Sequence, residues 1–186
     1  MDVVYEEKIM RVGIAGAQSV GKTTLLNGLR SEEVFKNFTI CNEVTRKVMG
    51  YGLPINENGN DVTQKLIMNE HIANVFMYED MLTDRTALDG LVYTKYLYRN
   101  GNVDTNTLIY VQNVFEKVWP CYDYVFYIEP EFEIEPDGTR STNKDFRDGI
   151  VELFDQTIEK KNLTLIKLSG SVRNRINTVI NIIEGR

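Results

Sequence analysis

Apolar positions change their spacing repeatedly along the chain, and each change marks a new element. The run Lys8 to Ala15 (KIMRVGIA) is short and rich in apolar residues, which predicts a buried strand. Gly21 to Arg30 follows as a helix, Phe38 to Cys41 as a short second strand and Glu43 to Met49 as a helical stretch. Tyr51 to Asn60 (YGLPINENGN) has the Gly, Pro and Asn density of a loop. From Asp61 to about Tyr78, residues Val62, Leu66, Ile67, Ile72, Val75 and Phe76 keep a mostly helical period, with Asp61 expected as the N-cap.

The alternation continues in the second half. Met81 to Thr83 predicts a third strand, and a helix starts beyond Asp84-Arg85. Asn100-Gly101 ends that helix; Asp104 is placed to cap the next one, which Pro120 stops. Tyr124 to Ile128 (YVFYI) is β-branched and aromatic, as a central strand is. Glu129 to Asn143 is polar, with Pro130, Pro136 and Gly138, and reads as a mobile loop. A helix from Lys144 to Lys160, a strand from Leu163 to Leu168 and a helix from Val172 to Ile183 complete the chain. Strands alternating with helices predict an α/β fold, a parallel sheet with helices on both faces. No repeat or linker interrupts it, so residues 1–186 are expected to form one domain.

Composition narrows the class. A net charge of -6 argues against broad attraction to nucleic acid or an anionic membrane, although a local basic groove is compatible with it. Cys41 and Cys121 form no metal-ligand spacing and read as reduced thiols. The start MDVVYEEK lacks the apolar stretch of a signal peptide, and no apolar run approaches the ~20 residues of a membrane span. A cytoplasmic protein is expected.

The chemistry begins between the first strand and the first helix. Gly16-Ala17-Gln18-Ser19-Val20-Gly21-Lys22-Thr23, followed by Thr24, fits G-x-x-x-x-G-K-S/T in the required strand-to-helix context. The glycines let the backbone fold tightly, so that successive N–H groups point at phosphate oxygens. The following helix adds its positive N-terminal end. Lys22 supplies a mobile cation for β/γ-phosphates, and Thr23 a hydroxyl for Mg²⁺. Nucleotide binding follows; whether the loop serves a transfer or a switch does not.

Ligands of an open parallel sheet bind beyond the carboxyl ends of its strands. After the second strand stand Glu43 and Arg46; after the third, Asp84 and Arg85. A phosphotransferase needs cations against the phosphates, a metal ligand and a carboxylate that orients or deprotonates the acceptor hydroxyl. Glu43 is the candidate acceptor-side carboxylate. Asp84 is either the Mg²⁺-associated acid or the base itself. Arg46 and Arg85 are candidates to clamp an acceptor phosphate or the transferring group. The bland alternatives are a helix cap for Asp84 and a solvated ion pair for Glu43 with Arg46. The later loop adds Arg140, Lys144 and Arg147 as a lid over phosphates, approximately residues 130–148. Ser169, after the last strand, is placed to pass near the adenine. Gln64 is a candidate to read a base edge or a polar surface residue. Tyr93, Tyr96, Tyr98 and Tyr110 read mostly as helix-face core, with stacking on a base as the alternative. His71, mid-helix with no ligand partner at useful spacing, reads as structural.

The P-loop, Glu43, the Asp84-Arg85-Thr86 triplet, "DGTRSTNKDFRDGIVELFD" and "LSGSVRNRI" together resemble small P-loop kinases, in order over nearly the whole chain. The similarity runs through thymidylate and deoxynucleoside kinases to nicotinamide riboside kinase-like ATPase domains. It implies five parallel strands, ATP and Mg²⁺ as donor, Glu43 and Asp84-Arg85 facing the acceptor, and Arg140 and Arg147 on the lid. Two positions depart from it: Thr86 where thymidylate kinases usually carry an aromatic residue, and Val44 where deoxynucleoside kinases usually carry Pro.

The acceptor therefore stays open between a nucleoside, a nucleotide and a nicotinamide riboside-like compound. Bacteriophage kinases acting on 5-hydroxymethyluracil in DNA fall in the same broad group. On that alternative nucleic acid enters only as acceptor, with Lys95, Arg99 and Lys117 as candidate contributors to a basic groove. A regulatory ATPase is a further alternative. GTP is disfavoured, because no Asn/Thr-Lys-x-Asp sequence follows YVFYIEP or LTLIKLSG. Oligomeric state is open, a homodimer included.

Overall fold

The centre of the sheet is β1 (Arg11–Ala15), whose Val12, Ile14 and Ala15 are fully buried. A computed structural model describes residues 9–131 and 143–185. Around β1 lie β2 (Thr39–Cys41), β3 (Met81–Asp84), β4 (Tyr124–Ile128) and β5 (Ile166–Leu168), all parallel, in the order β2-β3-β1-β4-β5. The inner strands are buried almost throughout, and the edge strands β2 and β5 only in part. That is the pattern of a sheet covered on both faces, and the reason its strands read as apolar runs without alternation. From β1 the chain leaves toward β2 and returns through β3, then crosses to β4 on the other side. The carboxyl end of β1 is therefore the switch point where such sheets bind ligands.

Seven α-helices accompany the strands among the described residues. α1 (Lys22–Leu29) packs with α7 (Val172–Glu184). α4 (Ala87–Arg99) packs with α5 (Thr105–Val118) and α6 (Lys144–Lys161). α3 (Asp61–Met77) packs against α2 (Val44–Gly50), α4 and α5. No helix of the described residues is long and apolar enough to cross a membrane. Cys41 and Cys121 are free thiols, as expected, and burial pushes the Cys41 thiol up to about 11.

Element types match the expectation, and the differences sit at the ends. The N-cap of α3 is Asn60, whose side chain accepts the Thr63 N–H, and not Asp61. Asp61 instead accepts the Asp104 N–H at 2.9 Å, tying the start of α3 to the start of α5. Asp104 caps α5 through the Thr107 N–H, as its position predicted. α4 is capped by Thr86 in a reciprocal box with Asp89, which leaves Asp84 outside the cap. Of the expected lid over 130–148, residues 132–142 lie outside the described residues, and residues 144–148 form the beginning of α6.

Candidate functional site

The loop from Gly16 to Thr23 closes over the carboxyl end of β1. Gly16 (φ 146°) and Gly21 (φ 91°) hold left-handed-region conformations, and a Cβ on Gly16 would meet the Ile128 carbonyl oxygen at 2.6 Å. Lys22 is buried, its Nζ donating to the Gly16 and Ala17 carbonyls at 2.7 and 2.5 Å. Burial, and then the charge of Arg85, lower its pKa to about 8; Asp89, Asp84 and Glu43 partly offset them. Thr24 faces solvent on the outer side of α1.

β3 brings the carboxylates to this loop. Its register sets Asp84 opposite Ile14, and the Arg85 N–H donates to the Ile14 carbonyl at 2.9 Å. Asp84 Oδ2 accepts from the Thr23 hydroxyl at 2.6 Å, while Oδ1 is buried without a hydrogen-bond partner. Two hard oxygen groups together, one with an unused lone pair, fit Mg²⁺, which is usually completed by phosphates and waters more than by protein. Among the described residues no group of three or more His, Cys, Asp or Glu side chains forms an all-protein metal cage.

Arg85 has φ 80°, a left-handed conformation that is strained for a side chain of this size. Its N–H on β1 and its carbonyl, which accepts from the Thr83 hydroxyl at 3.1 Å, hold it there. The turn aims the guanidinium across the sheet: Nε reaches Glu43 Oε1 at 2.7 Å, and Nη1 lies 3.6 Å from Asp89. The guanidinium also stands over the Tyr93 ring, 5.1 Å from its centroid. Arg46 reaches the other Glu43 oxygen at 3.1 Å. Burial pushes the Glu43 carboxyl up, but Arg85, then Lys22 and Arg46, outweigh it and hold it at about 2. Burial opposes the Arg85 charge as well, yet Glu43, Tyr93, Asp89 and Asp84 keep its pKa raised.

Arg85 is a wall shared by two adjoining clefts. Toward the loop it shares walls with Gln18, Ser19, Gly21, Lys22, Thr23, Glu43 and Asp84. Away from the loop it faces Thr45, Asn56, Gln64, Ile67, His71, Asp89, Gly90 and Tyr93, around some 330 Å³ of space that includes open solvent.

The structure thus gathers Lys22, Thr23, Glu43, Arg46, Asp84, Arg85 and Gln64 around adjoining clefts that share Arg85 as a wall. Gln64 is 2% exposed, so the surface alternative is set aside. Arg147 is buried on α6 beside Pro130 and Glu131, apart from Glu43. Ser169 is exposed between β5 and α7, and Arg140 lies outside the described residues. Lys95 and Arg99 reach α6, at Thr157 and Gln156, and line none of the clefts containing Glu43.

Sequence reasoning misses Asp89 and Arg175 as members of the site and leaves Tyr93 there only as an alternative. Asp89 Oδ1 is 3.3 Å from the Gly16 N–H, bridging the loop to Arg85. Burial, partly offset by Lys22 and Arg85, raises its pKa. Tyr93 donates to Gln18 Oε1 at 2.8 Å. Arg175 on α7 is 2% exposed, donates to the Val20 carbonyl at 2.9 Å and pairs with Glu131 at 3.2 Å. Its signal was an arginine inside the apolar stripe Ile176, Val179, Ile183, where a charge has a reason only if it is paired.

A family described as an AAA domain matches residues 11–175. No curated protein matches the sequence. Among solved structures, a deoxyadenosine kinase from M. mycoides with the products dCMP and dCDP superimposes with a TM-score of 0.69 at 14% identity, over 95% of this chain and 99% of that one. The NadR protein in complex with NR superimposes with a TM-score of 0.75 at 16% identity, over 96% of this chain and 52% of that one. This chain therefore spans about half the NadR length. The five-stranded parallel sheet and its helices are the fold of these P-loop proteins.

Proposed function

This chain belongs to the AAA-domain family, and on that premise we propose that it is a phosphotransferase dependent on ATP and Mg²⁺. It moves the γ-phosphoryl group to a hydroxyl or phosphate of a nucleoside, a nucleotide or a related small acceptor. The observation that carries the reading is the Glu43–Arg85 pair, which stands between the phosphate loop and the cleft behind it. A switch or a hydrolase needs no second cavity there; a transferase does.

The loop N–H groups and Lys22 bind the β/γ-phosphates. Thr23 and Asp84 are the residues that would hold Mg²⁺, whose charge would neutralise phosphate oxygens. Arg85 stabilises charge on the transferring group, and Glu43 accepts the hydrogen bond of the acceptor hydroxyl. A carboxyl held at about 2 is a weak base. A largely dissociative transition state demands little proton abstraction, so orientation is the role that suits Glu43. Arg46 shares Glu43 and meets the acceptor from the solvent side.

The fold neighbours support the same class: one is named a deoxyadenosine kinase, and the other is complexed with NR. A small acceptor is favoured over DNA, because Lys95 and Arg99 point to α6 and not to the cleft. The test is label transfer from γ-labelled Mg-ATP to a panel of nucleosides, deoxynucleosides, nucleotides and pyridinium ribosides. A labelled acceptor is expected; ATP binding with no transfer to any member would overturn the reading.

A further inference from the structure

His71, the chain's one histidine, sits on α3 two turns beyond Gln64 and on the same face. It is 1% exposed, and neither ring nitrogen has a hydrogen-bond partner. A buried polar group left unbonded costs about 1–3 kcal/mol. A leucine at this position would fill the core without that cost, so the imidazole has a use beyond packing. The use is indicated by what surrounds it. His71 lines the cleft behind Arg85, and Ile67 and the Tyr93 ring supply apolar walls there. Gly90 on α4 lets α3 pack closely beside His71; a Cβ there would meet Met68 Sδ at 2.4 Å. The Gln64 amide lies 2.9 Å from the Thr94 hydroxyl, which is also 2.8 Å from the Gly90 carbonyl, so the side chain is anchored to α4 at the cleft wall.

Resting on the phosphotransferase reading above, we propose that His71 is a specificity-determining residue of the acceptor cleft. One of its ring nitrogens hydrogen-bonds the polar edge of an uncharged planar heterocycle of nucleobase type, carried at the end of the acceptor remote from Glu43.

The electrostatics agree with the geometry. Burial, and then Arg85, lower the His71 pKa to about 3, so at neutral pH the ring holds one N–H donor and one acceptor nitrogen. A base edge presents the complementary groups. The Arg85 charge that disfavours an imidazolium at this depth equally disfavours a ring with a fixed positive charge, such as a pyridinium riboside. Glu43 and Asp89 give such a ring little compensation, because both are already engaged with Arg85.

The experiment compares wild-type, His71→Leu, His71→Asn and His71→Gln in untagged protein. Steady-state transfer from Mg-ATP is measured with nucleosides and with a pyridinium riboside, and ATP affinity is measured separately. Loss of one buried hydrogen bond predicts that His71→Leu raises KM for the nucleoside roughly 10- to 100-fold, leaving kcat and ATP affinity near wild-type. One of the two amide variants, which each keep a donor and an acceptor, is expected to recover part of the loss. Because the histidine is unique, its ring ¹⁵N resonances need no assignment. They are expected to be those of a neutral ring, with a shift on adding nucleoside but not on adding Mg-ATP alone. An unchanged KM in His71→Leu, or ring resonances indifferent to the nucleoside, overturns the assignment of His71. If His71→Leu does not fold, the amide variants and the resonances decide the matter alone. Wild-type preference for the pyridinium riboside overturns the choice of an uncharged ring while leaving phosphotransfer standing. Wild-type protein that transfers to no acceptor overturns the phosphotransferase reading, and this proposal with it.

Discussion

Arg85 Nε lies 2.7 Å from Glu43 Oε1, and the two side chains are only 8% and 14% exposed. A pair so little solvated is worth more as a unit than either half alone, because removing one partner strands a buried charge. Glu43→Gln keeps the shape and removes the charge. It is expected to lower turnover at least tenfold while ATP affinity changes little; an equal loss in both would reduce Glu43 to a structural role. Arg85→Met is expected to destabilise the protein by about 3 kcal/mol as well, read from urea unfolding.

Lys22→Ala removes the loop's mobile cation. Phosphoryl transfer is expected to fall by about 100-fold or more, on the scale of losing a preorganised electrostatic contact. Near wild-type turnover would show that the loop does not hold the donor phosphates.

Thr23 and Asp84 share a 2.6 Å hydrogen bond at the mouth of the loop. Asp84→Asn and Thr23→Val are each expected to raise the Mg²⁺ concentration for half-maximal transfer by roughly tenfold, as supporting groups of a metal site do. A Mg²⁺ titration superimposing on that of wild-type would remove both from the metal.

Arg175 braces the phosphate loop from α7 through the Val20 carbonyl and pairs with Glu131. Arg175→Met leaves that carbonyl and Glu131 without it. A loss of about 3 kcal/mol in urea unfolding is expected, with weaker ATP binding by isothermal titration. Unchanged stability would mean that water replaces the guanidinium.

Acid stability separates two groups. His71 has a folded pKa of about 3 against an ordinary 6.5, so the unfolded chain takes up its proton first. Its contribution is complete above pH 6.5 and lost as pH falls toward 3, up to roughly 5 kcal/mol. Glu43, depressed from 4.5 to about 2, loses its contribution only between those values. His71→Gln is therefore expected to flatten the fall in Tm between pH 6.5 and 4.5 and to leave a shallower fall below it, to which Glu43 still contributes. A wild-type slope in that variant would contradict the burial of a neutral imidazole.

The alternation of strands and helices was legible because every inner strand is a short apolar run and nearly every helix carries an amphipathic period or a local cap. Asp104 and Thr86 show both sides of that legibility. The first was read as a cap from position alone, and it is one. Position does not single out the second, because Asp84 and Thr86 are both acceptable caps two residues apart, and only the Asp89 side chain, closing the box, decides between them.

The order of elements and the phosphate loop are local matters, since both depend on residues adjacent in the chain. Glycine conformations, helix dipoles and apolar periods are local properties. The loop's spacing leaves the backbone few alternatives once a strand precedes it and a helix follows. The sequence also marks Glu43 and Arg85 as chemically suited, because strand ends in a parallel sheet converge.

How these residues are used depends on packing between distant parts of the chain. The pairing of Glu43 with Arg85 joins residues 42 positions apart and depends on a left-handed Arg85 held by Ile14 and Thr83. Arg175 reaches the phosphate loop from 155 positions away. Gln64, a base-edge candidate or a surface residue by sequence, and His71, structural by sequence, both become walls of a cleft where α3 meets α4. Burial sets the chemistry of such groups by removing water from their charges and bonds, and burial is a property of the packed whole that no stretch of sequence carries on its own.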